Sequence, residues 1–203
     1  MKTDNRITGD CSISAPSLLL IPLAILILGA TVACELFAGR TLFGTGGQFG
    51  WLTNDIWSEA CSQRLLDPYS FSHICHGLVF YFLLWLVARQ IPMHWRFFTA
   101  LCFEAGWEIL ENSPFIIERY REATIAIGYA GDSIVNSLSD ILMMSIGFWA
   151  AWKLRPRSAA SLFLCMEIGC AFWIRDNLSM NVLMLVKPVA AIKEWQLRGR
   201  VGK

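Results

Sequence analysis

Charge is what this sequence has least of. Only 16% of its 203 residues are Asp, Glu, Lys or Arg, against 55% hydrophobic, and the mean hydropathy of +0.48 is too high for a soluble domain of ordinary composition. The charges nearly cancel, to a net +1. No basic field is therefore available to hold nucleic acid by counterion release, which excludes nucleic-acid partners. The sequence also lacks a CxxC pair. Of its seven cysteines, Cys34, Cys75, Cys102, Cys165 and Cys170 sit in apolar runs and read as small buried hydrophobes, not as a redox or zinc framework. No repeat or low-complexity segment is present. Gly44, Gly46, Gly47 and Gly50 are followed by no Lys-Ser/Thr, so they are no phosphate cradle, and no serine is framed as a nucleophile elbow.

What is there is apolar length. Five stretches are long enough, at about 1.5 Å per residue, to cross or nearly cross a hydrocarbon core roughly 30 Å thick. They are Ser17 to Ala38, Phe71 to Ile91, Phe97 to Ile117, Ser133 to Trp152 and Ala159 to Ile174. A sixth, Leu178 to Ile192, holds Lys187 and Pro188 and reads as a return pass, a re-entrant segment or an interfacial helix. Lys2 and Arg6 ahead of the first stretch, with Ala33 and Cys34 near its end, give it a faint lipoprotein-signal look; Thr31 stands where such a signal has Leu, and the stretch reads as an uncleaved span. The expected fold is all-α, a polytopic membrane bundle of five to six transmembrane segments forming a single domain over residues 1–203. It would have a cytoplasmic segment at 1–16, an outer loop at 39–70 long enough to cap a pocket, and a basic tail at 193–203. Trp51, Trp57, Trp95, Trp149, Trp152 and Trp195 fall near the expected interfaces, where amphipathic rings anchor spans.

Orientation follows from Lys and Arg in the short loops. With the N-terminus cytoplasmic, the inside holds Lys2, Arg6, Arg89, Arg96, Lys153, Arg155 and Arg157, against Arg40, Arg64, Arg119, Arg121 and Arg175 outside, seven to five. Lys193, Arg198, Arg200 and Lys203 favour a cytoplasmic C-terminus as well, which requires the sixth stretch to return. The protein is expected in the cell inner membrane, multi-pass, in contact with membrane lipids.

On this topology the intramembrane polar residues converge at the outer end. His73 and His76, three apart, share a helical face at the start of the second span. Glu104, Glu108 and Glu111 share a face of the third, with Asn112 beyond them. Asp132 opens the fourth span, and Asn136 and Asp140 follow at four-residue steps. Arg175, Asp176 and Asn177 close the fifth, and Glu118, Arg119, Tyr120, Arg121 and Glu122 lie in the loop between the third and fourth spans. His94 falls on the opposite side. An ionised carboxylate facing lipid costs several kcal/mol, so these groups should face inward and each other.

Three functions fit such a cluster. It can be a polar network that fixes helix register, with Arg119, Arg121 and Arg175 neutralising the acids. It can be an enzyme acting on a lipid or envelope precursor, with His73, His76, Glu108, Glu111 and Asp132 as catalytic acids and bases. In that reading Glu104, Asn112, Arg119, Tyr120, Arg121, Asn136, Asp140, Arg175, Asp176 and Asn177 bind the headgroup or small-molecule substrate. Or the same residues can form a non-catalytic receptor or transport path for a lipid, ion or small molecule. A divalent metal at His73 and His76, completed by Glu108, Glu111 or Asp132, fits the ligand types, although HxxH is a weaker pattern than HExxH.

The strings DPYSFSHICHG, GWEILENSPF, ERYREAT, GYAGDSIVNSLSD and IRDNLSMNVLMLVKP resemble an uncharacterised family of alphaproteobacterial inner-membrane proteins, over most of the chain from Leu66 onward. More distantly, an early His, then Glu108, an Arg at Arg119 or Arg121, and Asp132 followed by Asn136 is similar in order to the VanZ-like membrane proteins linked to glycopeptide resistance. Ser139 and Asn112 stand where that pattern tends to have Gly and Gln. The resemblance implies a small membrane protein and names no activity.

Overall fold

The computed structural model describes residues 15–44 and 46–200. Among them the regular structure is helical: α1 Ala15–Phe37, α2 Ser70–Ala88, α3 Met93–Glu111, α4 Pro114–Ala123, α5 Ile134–Lys153, α6 Pro156–Trp173, α7 Leu178–Val186 and α8 Ala190–Leu197. The expected cytoplasmic segment at 1–16 lies almost wholly outside the described residues, as do the last three residues of the basic tail. Between α1 and α2 the chain is irregular, held by an isolated bridge between Leu52 and Leu66.

Local chemistry sets two boundaries that apolar length alone does not reveal. The third stretch does not run on to Ile117. It stops at Glu111, because Pro114 cannot continue a helix, and Ser113 accepts a hydrogen bond from the Ile116 amide at 3.4 Å to start α4 with proline in its first turn. The sixth stretch breaks likewise at Lys187–Val189, around Pro188, into α7 and α8.

Three helices are long and apolar enough to cross a membrane, over Leu19–Phe37, Ser70–Ala88 and Ile134–Lys153; α6 and α7, bent by 74° at their junction, make a fourth if the pair is one span. α3 has 19 residues but carries Arg96, Glu104, Glu108 and Glu111, which removes it from that set on composition. The burial pattern is inside out. Leu19, Ile25 and Leu26 of α1, Phe82, Leu86 and Val87 of α2, and Leu164 and Phe172 of α6 are exposed, whereas Glu35, Glu104, Glu108, Asp132 and Asp140 are buried. Apolar outside and charged inside points to a membrane protein, because in water the same distribution would be unfavourable on both counts.

The helices meet in two layers. One layer is an apolar core of Ala100, Leu101 and Ala105 from α3 with Ile141, Met144 and Phe148 from α5, flanked by Phe80, Tyr81 and Leu84 of α2. The other layer, one to three turns along the same helices, holds the polar residues. α2 and α5 form the most extensive helix pair, and two glycines set their spacing. A Cβ on Gly77 would overlap the Met144 carbonyl oxygen and the Phe148 amide, and one on Gly147 would overlap the Ile74 carbonyl oxygen. The backbones therefore touch directly, as small residues permit at membrane helix crossings.

The last two helices are short. α7 has only nine residues, about 14 Å at 1.5 Å per residue and too short to cross. α8 then packs at the polar end of the bundle. Gln196 donates to Asp176 at 3.0 Å, Asp176 accepts from Tyr69 at 3.2 Å just before α2, and Lys193 donates to the Glu122 carbonyl at 2.6 Å. Lys193, Arg198 and Arg200 thus join the end that carries Arg40, Arg64, Arg119, Arg121 and Arg175. By length neither α7 nor α8 makes a crossing on its own, which leaves the re-entrant and interfacial readings of the sixth stretch.

Gly147→Ala should lower the thermal midpoint of the detergent-solubilised protein by roughly 5 °C or more, the effect of one to three kcal/mol of overpacking in a chain of this size. Gly106→Ala, where no atom lies within 4 Å of the added methyl, should leave it unchanged. Equal midpoints for the two variants would show that the crossing is not tight.

Candidate functional site

The helical phase expected for α2, α3 and α5 brings their polar faces together. At the centre is Glu104, fully buried, taking two imidazoles at once: His73 Nδ1 lies 2.6 Å from Oε1, and His76 Nδ1 lies 3.0 and 3.1 Å from the two oxygens. An ionised carboxylate only accepts, so each ring must carry its proton on Nδ1. Nε2 of both rings is left with a free lone pair. One acid thus fixes the tautomer and orientation of two histidines, an arrangement found behind imidazole ligands of metals.

One turn along α3, Glu108 is also fully buried, and neither of its oxygens has a hydrogen-bond partner. His73 Nδ1 lies 3.6 Å from it, and His73 Nε2 lies 3.8 Å from Asp140, whose Oδ1 is likewise without a partner. Glu111 and Asp132 complete the group. Three overlapping sets, His73–His76–Glu104, His73–Glu108–Asp140 and Glu108–Glu111–Asp132, each have ligand-type atoms within 4.8 Å of one another. Any of these sets has the ligand types to hold a metal ion.

Asp132 is held by the loop before α5. Tyr129 donates to its Oδ2 at 2.8 Å and Asn112 Nδ2 at 3.3 Å, while the Asp132 amide donates to Asn112 Oδ1 at 2.7 Å. Gly131 makes this approach feasible, with φ of +91° and no room for a Cβ beside Arg40 and Asn112. Burial pushes the Asp132 carboxyl up to about 6 despite the Tyr129 hydrogen bond, and burial beside Asp132 pushes the Tyr129 phenol above its ordinary range. Asn136 donates to the Arg64 carbonyl at 2.9 Å and Ser133 caps α5.

The arginines do not join the acids. Arg119 donates to the Leu185 carbonyl at 2.8 Å, Arg121 to the Tyr129 carbonyl at 2.6 Å, and Arg175 to the Trp195 carbonyl at 2.9 Å. Among the described residues no lysine or arginine lies within 4.0 Å of Glu104, Glu108, Glu111, Asp132 or Asp140; the only Arg–carboxylate pair there is Arg121 with Glu118. A neutralising arginine set is thus not what compensates this cluster.

A cavity of about 70 Å³ opens onto it, several times the roughly 10–15 Å³ that one water needs. His73, His76, Glu111, Tyr120, Tyr129, Asp132, Asn136 and Asp140 line it, together with Ser62, Asp67 and Tyr69 from the long irregular segment. That segment does reach the pocket, as its length suggested. Opposite the acids, Leu178, Val182 and Leu185 of α7 form an apolar wall, with Asn181 between them bonded to the Tyr120 hydroxyl at 3.1 Å. Asp176 and Asn177 sit behind it, Asp176 bonded to Tyr69 and Gln196, and Asn177 capping α7.

Three acids escaped the sequence reading, and a fourth was given another role. Asp67 accepts from the amides of Ser62, Tyr69 and Ser70 at 2.8 to 3.2 Å and so fixes the start of α2. Glu35 is buried in α1 with neither oxygen bonded, and Glu167 of α6 accepts from the amides of Leu178 and Ser179 at 3.0 Å each. Glu35 and Glu167 carried the signal used elsewhere, an acid inside an apolar run. The fourth miss concerned role: Glu104 orients the histidines and does not line the cavity.

Fold and site together define a class: an all-helical bundle of membrane type with a buried histidine–carboxylate centre at one end. Within that class, the family described as a protein of unknown function (DUF2585) matches residues 35–198, and the chain belongs to it. It is 44% identical to a UPF0314 protein of Sphingopyxis alaskensis over 85% of this chain and 92% of that one, and 44% identical to a UPF0314 protein of Paracoccus denitrificans over 79% and 83%. A UPF0314 protein of Agrobacterium fabrum is 50% identical over 66% of this chain and 68% of its own. No solved structure matches.

Glu104→Gln leaves only one accepting oxygen for two rings. In ¹⁵N-histidine NMR spectra, His73 and His76 should both appear as Nδ1–H tautomers in the wild type, and at least one should lose that signature in the variant. Unchanged ring shifts would overturn the positioning role of Glu104.

Proposed function

We propose that this chain is an inner-membrane hydrolase or transferase acting on the polar end of a lipid or lipid-linked envelope precursor. It would use a divalent ion held by His73 with Glu108 and Asp140, with His76 beside it. The observation that carries this reading is Glu108: a fully buried carboxylate with two unpartnered oxygens, no lysine or arginine within 4.0 Å among the described residues, and only His73 at 3.6 Å. Such a group is strongly unfavourable unless a cation or a proton compensates it. The ion would polarise a carbonyl or phosphoryl oxygen and activate a water. Glu111 and Asp132, at the cavity wall, are suited to take and return protons. The apolar face of Leu178, Val182 and Leu185 across from the acids suits a substrate with one greasy and one polar end. With the arginines engaged elsewhere, an anionic headgroup would be gripped by the ion.

The orientation proposed keeps the N-terminus cytoplasmic, because Lys2 and Arg6 precede the first span and the first span usually dominates. α3 then crosses beside α2 and α5 with its acids turned inward, giving five segments that cross or enter the bilayer. The site and α8 both face the outer side. Alkaline phosphatase fused after Thr124 or Arg200 should be active, and after Arg96 inactive. The reverse pattern would move the site to the cytoplasmic leaflet.

Activity is tested with protein reconstituted in vesicles, incubated with a polar lipid extract and Mn²⁺, and followed by mass spectrometry. Wild type should release a headgroup or its fragment, chelation should stop it, and Glu108→Gln should lower the rate by at least about 100-fold, the usual scale for a lost catalytic group. A lipid that copurifies and stays intact under every condition would sink the enzyme and leave a binding or transport protein.

A further inference from the structure

We propose that the site holds two divalent ions bridged by Glu108. This rests on the metal-bearing reading above and extends it. Two of the ligand sets share that residue: His73, Glu108 and Asp140 on one side, and Glu108, Glu111 and Asp132 on the other, each with its ligand atoms within 4.8 Å. Two ligands bound to one ion at about 2.1 Å lie roughly 3.0–3.5 Å apart. His73 Nε2, the nitrogen that Glu104 leaves free, lies 3.8 Å from Asp140, just beyond that spacing and too long for a hydrogen bond.

The bridge itself is what the unpartnered oxygens describe. Glu108 is 0% exposed with neither oxygen bonded, and Asp140 Oδ1 is unpartnered as well. On the second side, Tyr129 and Asn112 both donate to Asp132 Oδ2, which orients that carboxylate in the second set. A carboxylate spans two ions at the separation of about 3.5–4 Å found in two-metal hydrolytic sites, and helical bundles build such carboxylate-bridged centres from acids on facing helices.

Charge selects two ions over one. Glu104, Glu108, Glu111, Asp132 and Asp140 have no lysine or arginine within ion-pair distance among the described residues, and the His73 imidazole is neutral when its Nε2 ligates. One divalent ion leaves the five acids three charges short of neutrality; two leave them one short. Oxygen-rich ligation with a single imidazole suits manganese- or iron-class ions better than zinc held by sulfur and nitrogen.

The test uses the full chain in detergent, loaded with Mn²⁺, desalted and assayed by elemental analysis and electron paramagnetic resonance. Two ions per chain with a spin-coupled multiline spectrum are expected. Asp132→Asn should bring the content to one and leave the six-line signal of isolated Mn²⁺, and Glu108→Gln should bring it below one. One ion per chain in the wild type, with a six-line signal, would overturn the bridged pair and leave the single-ion reading standing. No retained ion would overturn both. The wild-type measurement decides even if a variant fails to fold.

Discussion

The direct contact of two helix backbones at Gly77 and Gly147 is the constraint on which the rest of this protein depends. Because neither position has a side chain, α2 and α5 approach until carbonyl and amide groups of one lie against the Cα of the other. His73 and His76 sit within about one turn of Gly77, and Asp140 about two turns before Gly147, so the crossing sets the distance between the imidazoles and the α5 acid. α3 fills the groove these helices leave. It gives Ala100, Leu101 and Ala105 to the apolar layer and Glu104 and Glu108 to the polar one. A wider crossing would separate both layers at once.

Within the polar layer, the balance of forces is unusual for a buried site. Buried acids are commonly met by arginine, in forked pairs that satisfy both oxygens. Here every nearby arginine donates to a backbone carbonyl, tying loop to helix, and the acids are met by two imidazoles, a phenol and an asparagine. Glu104 is well satisfied and Asp132 largely so. Glu108 is not. The contrast is sharpest between Glu104 and Glu108, four residues apart on α3 and both fully buried, of which only the first has hydrogen-bond partners.

Much of this was legible beforehand. Three-residue spacing of His73 and His76, the 104–108–111 stripe and the 136–140 step fixed which faces would meet, since helical phase is a local property and hydrocarbon penalises outward charge strongly. Helix ends were less legible. An apolar run continues through Ser113-Pro114 on hydropathy alone, although the capping serine and the proline together mark a stop. The position of α8 was not legible at all, because it depends on Gln196, Asp176 and Tyr69 meeting across more than a hundred residues of chain. The arginines misled for a related reason: sequence places them near the acids in depth, and only side-chain direction shows them bonded elsewhere.

The junction of α6 and α7 has a mechanical meaning. The 74° bend is not slack. Glu167 clamps the first two amides of α7, Asn177 reaches back to the Glu167 carbonyl at 3.0 Å, and its own side chain caps Met180 at 2.8 Å. Opening such an elbow would break three hydrogen bonds at once, each worth about 0.5–1.5 kcal/mol net. α6 and α7 therefore behave as one bent lever arm. The Leu178–Val182–Leu185 wall of the cavity is thus carried on an elbow that one carboxylate and one amide side chain hold together.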